Sequence, residues 1–317
     1  MSEFDLIARY FTRATPGAAL GVGDDAALLR VSSGMELAVS TDMLVSGTHF
    51  FPDADPFMLG HKALAVNLSD MAAMGAQPRW ATLALSLPGA NEAWLQKFSE
   101  GFFALSHQYG VDLIGGDTTR GPLNLCITIM GEVPQGTALR RSGAQVGDDI
   151  WVSGKLGDAA LALAHLQEDV QLTVEDFAAC APSLHQPVPR IALGLALLGV
   201  AHSAIDVSDG LLADLGHILE CSKVGAEIQF ATLPVSRVVQ SVIEQPLGKR
   251  CVLAGGDDYE ICFTASVAQR DVIEKISAQL ELPLTRIGVI MAKSGCTVRA
   301  ADGGVMTMEE HGYDHFR

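Results

Sequence analysis

The stretch FMLGHKALAVNLSDMAAMG (57–75), followed after a short link by RWATLALSL (79–87), decides the fold class. The first segment repeats apolar residues at helical spacing and carries little glycine inside, which predicts a helix. The second sets Trp80, Thr82, Ala84 and Ser86 against Ala81, Leu83, Leu85 and Leu87 in strict alternation, which predicts a strand. The same pattern continues outward. ELAVSTD (36–42) reads as a strand that ends in polar residues, 92–109 as an amphipathic helix, and 111–115 and 124–133 as strands. Short strands interleaved with longer helices indicate an α/β architecture. Residues 136–149 are rich in glycine and charge, with Arg140 and Arg141 adjacent, and suggest a junction between a domain at 1–138 and another at 139–317. In the second half, 149–153, 252–254, 260–264 and 287–290 read as strands. There 157–167, 189–199 and 209–222 read as helices, the last with Ser208 or Asp209 as its N-cap.

Composition narrows the function classes. A chain of 317 residues suits two domains or one large one. A hydrophobic fraction of 49% excludes a disordered chain. The net charge of −16 argues against nucleic-acid and anionic-lipid partners, which need a basic surface. Phosphate chemistry stays open on condition that metal ions invert the local field. None of the six cysteines forms a C-x-x-C pair, which fits a reducing cytosol. The first ten residues carry Glu3, Asp5 and Arg9 and do not read as a signal peptide, and the apolar run 191–201 is too short to span a bilayer. A cytoplasmic protein is expected.

The standard nucleotide signatures are missing. Gly154-Lys155 and Gly248-Lys249 are followed by Leu156 and Arg250, so neither is a P-loop. Gly21-Val-Gly23-Asp-Asp-Ala26 fits the dinucleotide fingerprint loosely, but two aspartates there would face a pyrophosphate. What recurs instead is aspartate beside Gly, Ser or Thr at the ends of apolar runs. The motifs are Gly-Asp-Asp-Ala-Ala (23–27), Ser-Thr-Asp (40–42), Asn-Leu-Ser-Asp (67–70), Gly-Gly-Asp-Thr-Thr (115–119), Asp-Val-Ser-Asp-Gly (206–210) and Gly-Gly-Asp-Asp-Tyr-Glu (255–260). Any one could be a simple turn, Asp206 and Asp209 could be helix caps, and Asp148-Asp149 reads as a surface turn before a strand. Asp70 differs, because it interrupts an apolar helix where an unpaired charge is costly. Asn67 lies one turn before it. Hard oxygen donors gathered at strand ends suit Mg²⁺ and phosphate. His49 and Arg141 each read equally as ligand contacts or as polar loop residues. The closing Gly-Tyr-Asp-His-Phe (312–316) suggests a docked end that packs or stacks on a ring.

Taken together and in this order, these motifs resemble the thiamine-monophosphate kinases, from about Phe4 to Phe316. The resemblance implies a two-domain fold of the aminoimidazole ribonucleotide synthetase type. Its N-terminal mixed sheet would form a barrel across a homodimer, and an α/β layer domain would follow. The implied reaction is phosphorylation of thiamine monophosphate by ATP, with several Mg²⁺ ions. Carried over by position, Asp25, Ser40, Thr41, Asp42, Asp70, Asp117, Asp206 and Asp209 are magnesium ligands. Gly116, Asp117, Arg141 and Ser208 contact ATP, and His49, Asp257 and Tyr313 contact thiamine phosphate. At Asp257 this chain departs from the family, which usually has Glu there.

A phosphate acceptor is already ionised and needs no strong general base. Direct in-line transfer is therefore expected, with catalysis by positioning and charge neutralisation and no phospho-enzyme. The helix beginning near Asp209 is expected to aim its N-terminal amides at phosphate. Two rivals remain at this level: a sister enzyme with another acceptor, and a nucleotide-binding module without turnover.

Overall fold

The computed structural model describes residues 3–307, 312–313 and 315. The chain forms two compact units. One comprises Met1–Met71 with Ala76–Gly136, the other Ala72–Gly75 with Thr137–Arg317. The small excursion 72–75 has a local cause. Gly194 packs its backbone against the carbonyl of Ala72, and Leu139 donates its N–H to Met74 O at 3.0 Å.

The first unit opens with a short helix α1 (Glu3–Leu6) and then alternates β1 (Met35–Val45), α2 (Pro56–Ala73), β2 (Gln77–Leu87), α3 (Glu92–Tyr109), β3 (Asp112–Arg120) and β4 (Asn124–Pro134). The sheet order is β1-β4-β2-β3, antiparallel except for the β2–β3 pair, which α3 connects. Asn91 caps α3 by accepting from Trp94 N–H, and Gly110 ends it in the left-handed conformation. One sheet face is apolar and buried: Ala81, Leu83, Leu85 and Leu87 beside Leu125, Ile127 and Ile129. Leu64, Leu68 and Met71 of α2 and Leu95, Phe98 and Phe102 of α3 complete that core. The two helices approach closely because Gly60 sits on the Phe98 carbonyl and Gly101 on that of Phe57, where a Cβ has no room.

The second unit holds β5 (Asp149–Ser153), α4 (Asp158–Leu166), α5 (Val174–His185), α6 (Ile191–Ala196), β6 (Ser203–Val207), α7 (Leu211–Ser222), β7 (Gly225–Gln229), α8 (Arg237–Val242), α9 (Pro246–Leu253), β8 (Glu260–Ala265), α10 (Arg270–Leu280), β9 (Leu284–Met291), β10 (Gly295–Arg299) and β11 (Val305–Met306). Its seven-stranded mixed sheet runs β11-β10-β7-β9-β5-β8-β6. Ile150, Val152, Ile205, Val207, Leu215, Ile218 and Cys262 meet in its core. Each such burial contributes about 1.5–3 kcal/mol. Every residue of β5, β6 and β8 is buried, and the outer edge of β6 is covered where Ala204 N–H bonds Arg140 O at 2.9 Å.

Three expectations change here. Val252 and Leu253 close helix α9 rather than forming a strand, since a three-residue apolar run carries no period. Helix α5 escapes a pattern reading because Pro182 lies inside it. Asp148 and Asp149, expected in a surface turn, are both buried. Arg270 reaches both Asp149 oxygens (2.6 and 2.8 Å), and His202 Nδ1 meets Asp148 at 2.8 Å.

Candidate functional site

In the first unit two of the acidic motifs sit on β1 and α2. Ser40 and Asp42 are two apart on β1 and share its inner face, turned to α2. Ser40 Oγ donates to Asp70 Oδ2 at 2.5 Å. The backbone N–H of Asp42 donates to Asn67 Oδ1 at 3.3 Å, and Asn67 Nδ2 donates back to Ala63 O at 3.0 Å. The one-turn spacing of Asn67 and Asp70 thus ties two rungs of the strand to one helix face. Thr41 points the other way, to a hydroxyl–hydroxyl bond with Thr128 at 2.8 Å. Its side chain is separated from those of Ser40 and Asp42.

His49 lies in the tight turn after β1. Its Nδ1 accepts the Val45 N–H at 3.0 Å, so the neutral ring carries its proton on Nε2. Asp25 and Asp24 form an exposed turn in which Asp24 Oδ1 accepts the Asp25 N–H at 2.9 Å. On β3, Gly116 adopts φ 150° against the Leu83 backbone, a conformation and a space that glycine alone fills. Asp117 follows it, exposed and in register with Ala84.

In the second unit the segment 206–210 links β6 to α7. Asp206 is buried at the strand end. The N–H groups of Ser208, Asp209 and Gly210 all donate to Asp214 Oδ2, at 3.0, 3.0 and 3.1 Å. This overturns one expectation. Neither Ser208 nor Asp209 caps α7, whose N-cap is Gly210 without a side-chain bond. The three amides before the helix turn inward to a carboxylate. Burial first, then the Asp206 charge, pushes the Asp214 carboxyl up to about 7.

Two further segments join this loop. Asp257 N–H bonds Ser208 O and Tyr259 N–H bonds Val207 O, both at 2.8 Å. Tyr313 N–H bonds Asp209 O at 3.0 Å, with its ring edge-on to His315 at 4.9 Å and about half exposed. Burial raises the Asp209 carboxyl, and the positive fields of His315, His217 and Arg141 oppose that rise. The second unit therefore brings Ser208, Asp209, Asp257 and Tyr313 together, with Arg141 in electrostatic reach. Asp314 and Phe316 lie outside the described residues.

Asp214 and Tyr259 were not singled out from the sequence. Asp214 carries a signal like that of Asp70, an acid set among apolar residues of a helix. Among the described residues, no three His, Cys, Asp or Glu side chains gather into a ready-made metal cluster.

Residues 23–133 match the family model described as AIR synthase related protein, N-terminal domain. Over 320 residues the chain is 49% identical to the thiamine-monophosphate kinase of Escherichia coli strain K12, covering 99% of this chain and 98% of that one. The chain belongs to the thiamine-monophosphate kinase family. Among solved structures it is similar to the thiamine-monophosphate kinase of Stenotrophomonas maltophilia K279a (TM-score 0.86, 49% identity, 96% of each chain). It is also similar to AaThiL complexed with AMPPCP and TMP (TM-score 0.79, 28% identity, 99% of this chain and 96% of that one). The matched length takes in both units.

Proposed function

We propose that this chain transfers the γ-phosphoryl group of ATP to thiamine monophosphate, giving ADP and thiamine diphosphate. The identity of 49% to a thiamine-monophosphate kinase across nearly all of both chains carries this reading. The complex of a relative with AMPPCP and TMP supports the pair of substrates.

The donor set fits Mg²⁺. Ser40, Asp42 and Asp70 in one unit and Asp206 and Asp209 in the other offer oxygen, with no sulfur or imidazole among them. Mg²⁺ is usually held by one or two carboxylates together with substrate phosphates rather than by an all-protein cage, and each unit offers carboxylates of that kind. Asp25, Ser40, Thr41, Asp42, Asp70, Asp117, Asp206 and Asp209 would hold the ions, Thr41 through its backbone if it acts on the side of Ser40. When bound, the ions neutralise the phosphates and the developing charge of the transfer. Gly116, Asp117, Arg141 and Ser208 bind ATP, with the Arg141 guanidinium meeting phosphate charge. His49, with its proton fixed on Nε2, donates to the phosphate of thiamine monophosphate. Asp257 and Tyr313 hold its rings, the one by charge and the other by stacking. The acceptor oxygen needs no deprotonation, so the residues orient it for direct in-line attack and no side chain becomes phosphorylated.

The outer face of the first unit's sheet supports a homodimer. Val39 and Met43, each 56% exposed, line up with Cys126, Thr128 and Met130 as an apolar face. Among the described residues no helix is long and apolar enough to cross a membrane, and all six cysteines are free thiols, which suits the cytosol.

The test is product analysis with ATP, Mg²⁺ and either thiamine monophosphate or thiamine. Thiamine diphosphate from the monophosphate alone, matched by ADP, is the expected result. ADP release with a different acceptor would move the chain to a sister activity, and tight ATP binding without turnover would make it a binding module.

A further inference from the structure

Backbone strain marks the loop that leads into β8. Asp257 has φ 69° and Tyr259 has φ 49°. Positive φ is uncommon outside glycine, and a bulky residue tolerates it less well than aspartate does. Such strain persists only where its surroundings enforce it, and it clusters at functional sites. Here the surroundings are specific. The N–H groups of Asp257 and Tyr259 are pinned to Ser208 O and Val207 O. Between them, Asp258 turns inward, both of its oxygens 3.0 Å from the Gly157 N–H. Glu260 is taken up by Arg190, through Nε at 2.7 Å and Nη2 at 2.5 Å, and by Ser153 Oγ at 2.5 Å. Asp257 is only half-buried, and the buried Tyr259 ring reaches back across Asp258 so that its hydroxyl donates to Asp257 Oδ1 at 3.0 Å.

We propose that Tyr259 is a positioning residue for the acceptor substrate. Its hydroxyl fixes the rotamer of the Asp257 carboxylate so that this acid meets a hydrogen-bond donor or positive charge on the thiamine portion, either the amino group of the pyrimidine or the thiazolium. A carboxylate there repels phosphate, so the pair discriminates for the cationic end of the acceptor and not for the nucleotide. The left-handed turns are what brings residues 257 and 259 face to face. An extended backbone would send both side chains to one sheet face without that closure. The proposal rests on the reading of Asp257 as a substrate contact.

Two substitutions test it without adding strain. Tyr259→Phe keeps the ring and removes the hydroxyl, and Asp257→Gly removes the carboxylate at a φ that glycine prefers. Tyr259→Phe is expected to raise KM for thiamine monophosphate about fivefold while kcat and KM for ATP stay within about twofold, the size expected for one hydrogen bond. Asp257→Gly is expected to raise the same KM further, and Tyr259→Phe should add nothing in that background. If Asp257→Gly raises KM and Tyr259→Phe leaves it unchanged, the positioning role is overturned and the reading of Asp257 stands. If Asp257→Gly leaves KM unchanged, both fail. A Tyr259→Phe variant that loses thermal stability and weakens ATP and thiamine monophosphate equally would make the tyrosine a packing residue only.

Discussion

The two units secure their acids in different ways. In the first, Ser40 and Asp42 ride on a strand and Asn67 and Asp70 on a helix, and side chains bridge the two elements directly. In the second, Ser208 and Asp209 lie on a loop, and other residues hold that loop in place. Asp214 gathers three of its amides, and Asp257, Tyr259 and Tyr313 bind its carbonyls. Regular elements fix a side chain by their own geometry, whereas a loop needs supporting groups. The first arrangement needs few supporting residues, and the second depends on several.

This contrast can be broken by substitution. The largest effect is expected at Asp70. Asn in its place can still accept from Ser40, so the fold should persist while turnover falls about a thousandfold with the lost charge. Steady-state assay beside thermal melting checks this, and wild-type turnover would make Asp70 structural. Asp214→Ala should lower kcat about ten- to a hundredfold and also lower the melting temperature, because three amides lose their acceptor. Asp214→Asn, which keeps an acceptor oxygen, should recover most of the stability. A full-rate Asp214→Ala variant would show that the loop stands without it. In the proposed homodimer, Met43→Glu on the outer sheet face should halve the mass seen by light scattering, and an unchanged mass would remove that face from the interface.

The smallest effect concerns the frame. Burial alone would raise the Asp149 carboxyl, but the hydrogen bonds and charges of Arg270 and Arg286 outweigh it and hold it below the usual carboxylate range. A lowered native value means stability that is present above the unfolded carboxylate range and lost as pH falls through the native one. The melting-temperature gap between wild type and Arg270→Met should therefore be constant near neutrality and narrow below about pH 4. A gap that does not change with pH would assign the arginine to packing alone.

Legibility in the sequence follows the same contrast. The alternation in 79–87 and the helical spacing in 57–75 marked β2 and α2 to within a few residues, because each buries one face on a common core. Asp70 stood out as a charge among Leu64, Leu68 and Met71. In the second unit the edges blurred. Strand β6 is buried on both faces, loses alternation and escapes the reading, although β5 and β8, just as buried, are legible at 149–153 and 260–264; Pro182 masks α5, and the short run at 252–254 ends a helix. The support given by Asp214 depends on a loop folding back on the helix that follows it, which no periodicity records. Nor does spacing reveal that Tyr259 meets Asp257, since that requires two positive φ values. The acidic motifs themselves were legible from composition, but their partners were not.

The most direct test of the account is metal binding by both units in the presence of nucleotide. Mn²⁺ in place of Mg²⁺ can be titrated into the intact chain by electron paramagnetic resonance, with and without AMPPCP. Weak binding alone, strong binding with the analogue, and loss of bound Mn²⁺ in both Asp70→Asn and Asp209→Asn are the predicted results. Full Mn²⁺ binding with the analogue in either variant would contradict the proposed role of that residue as a metal ligand.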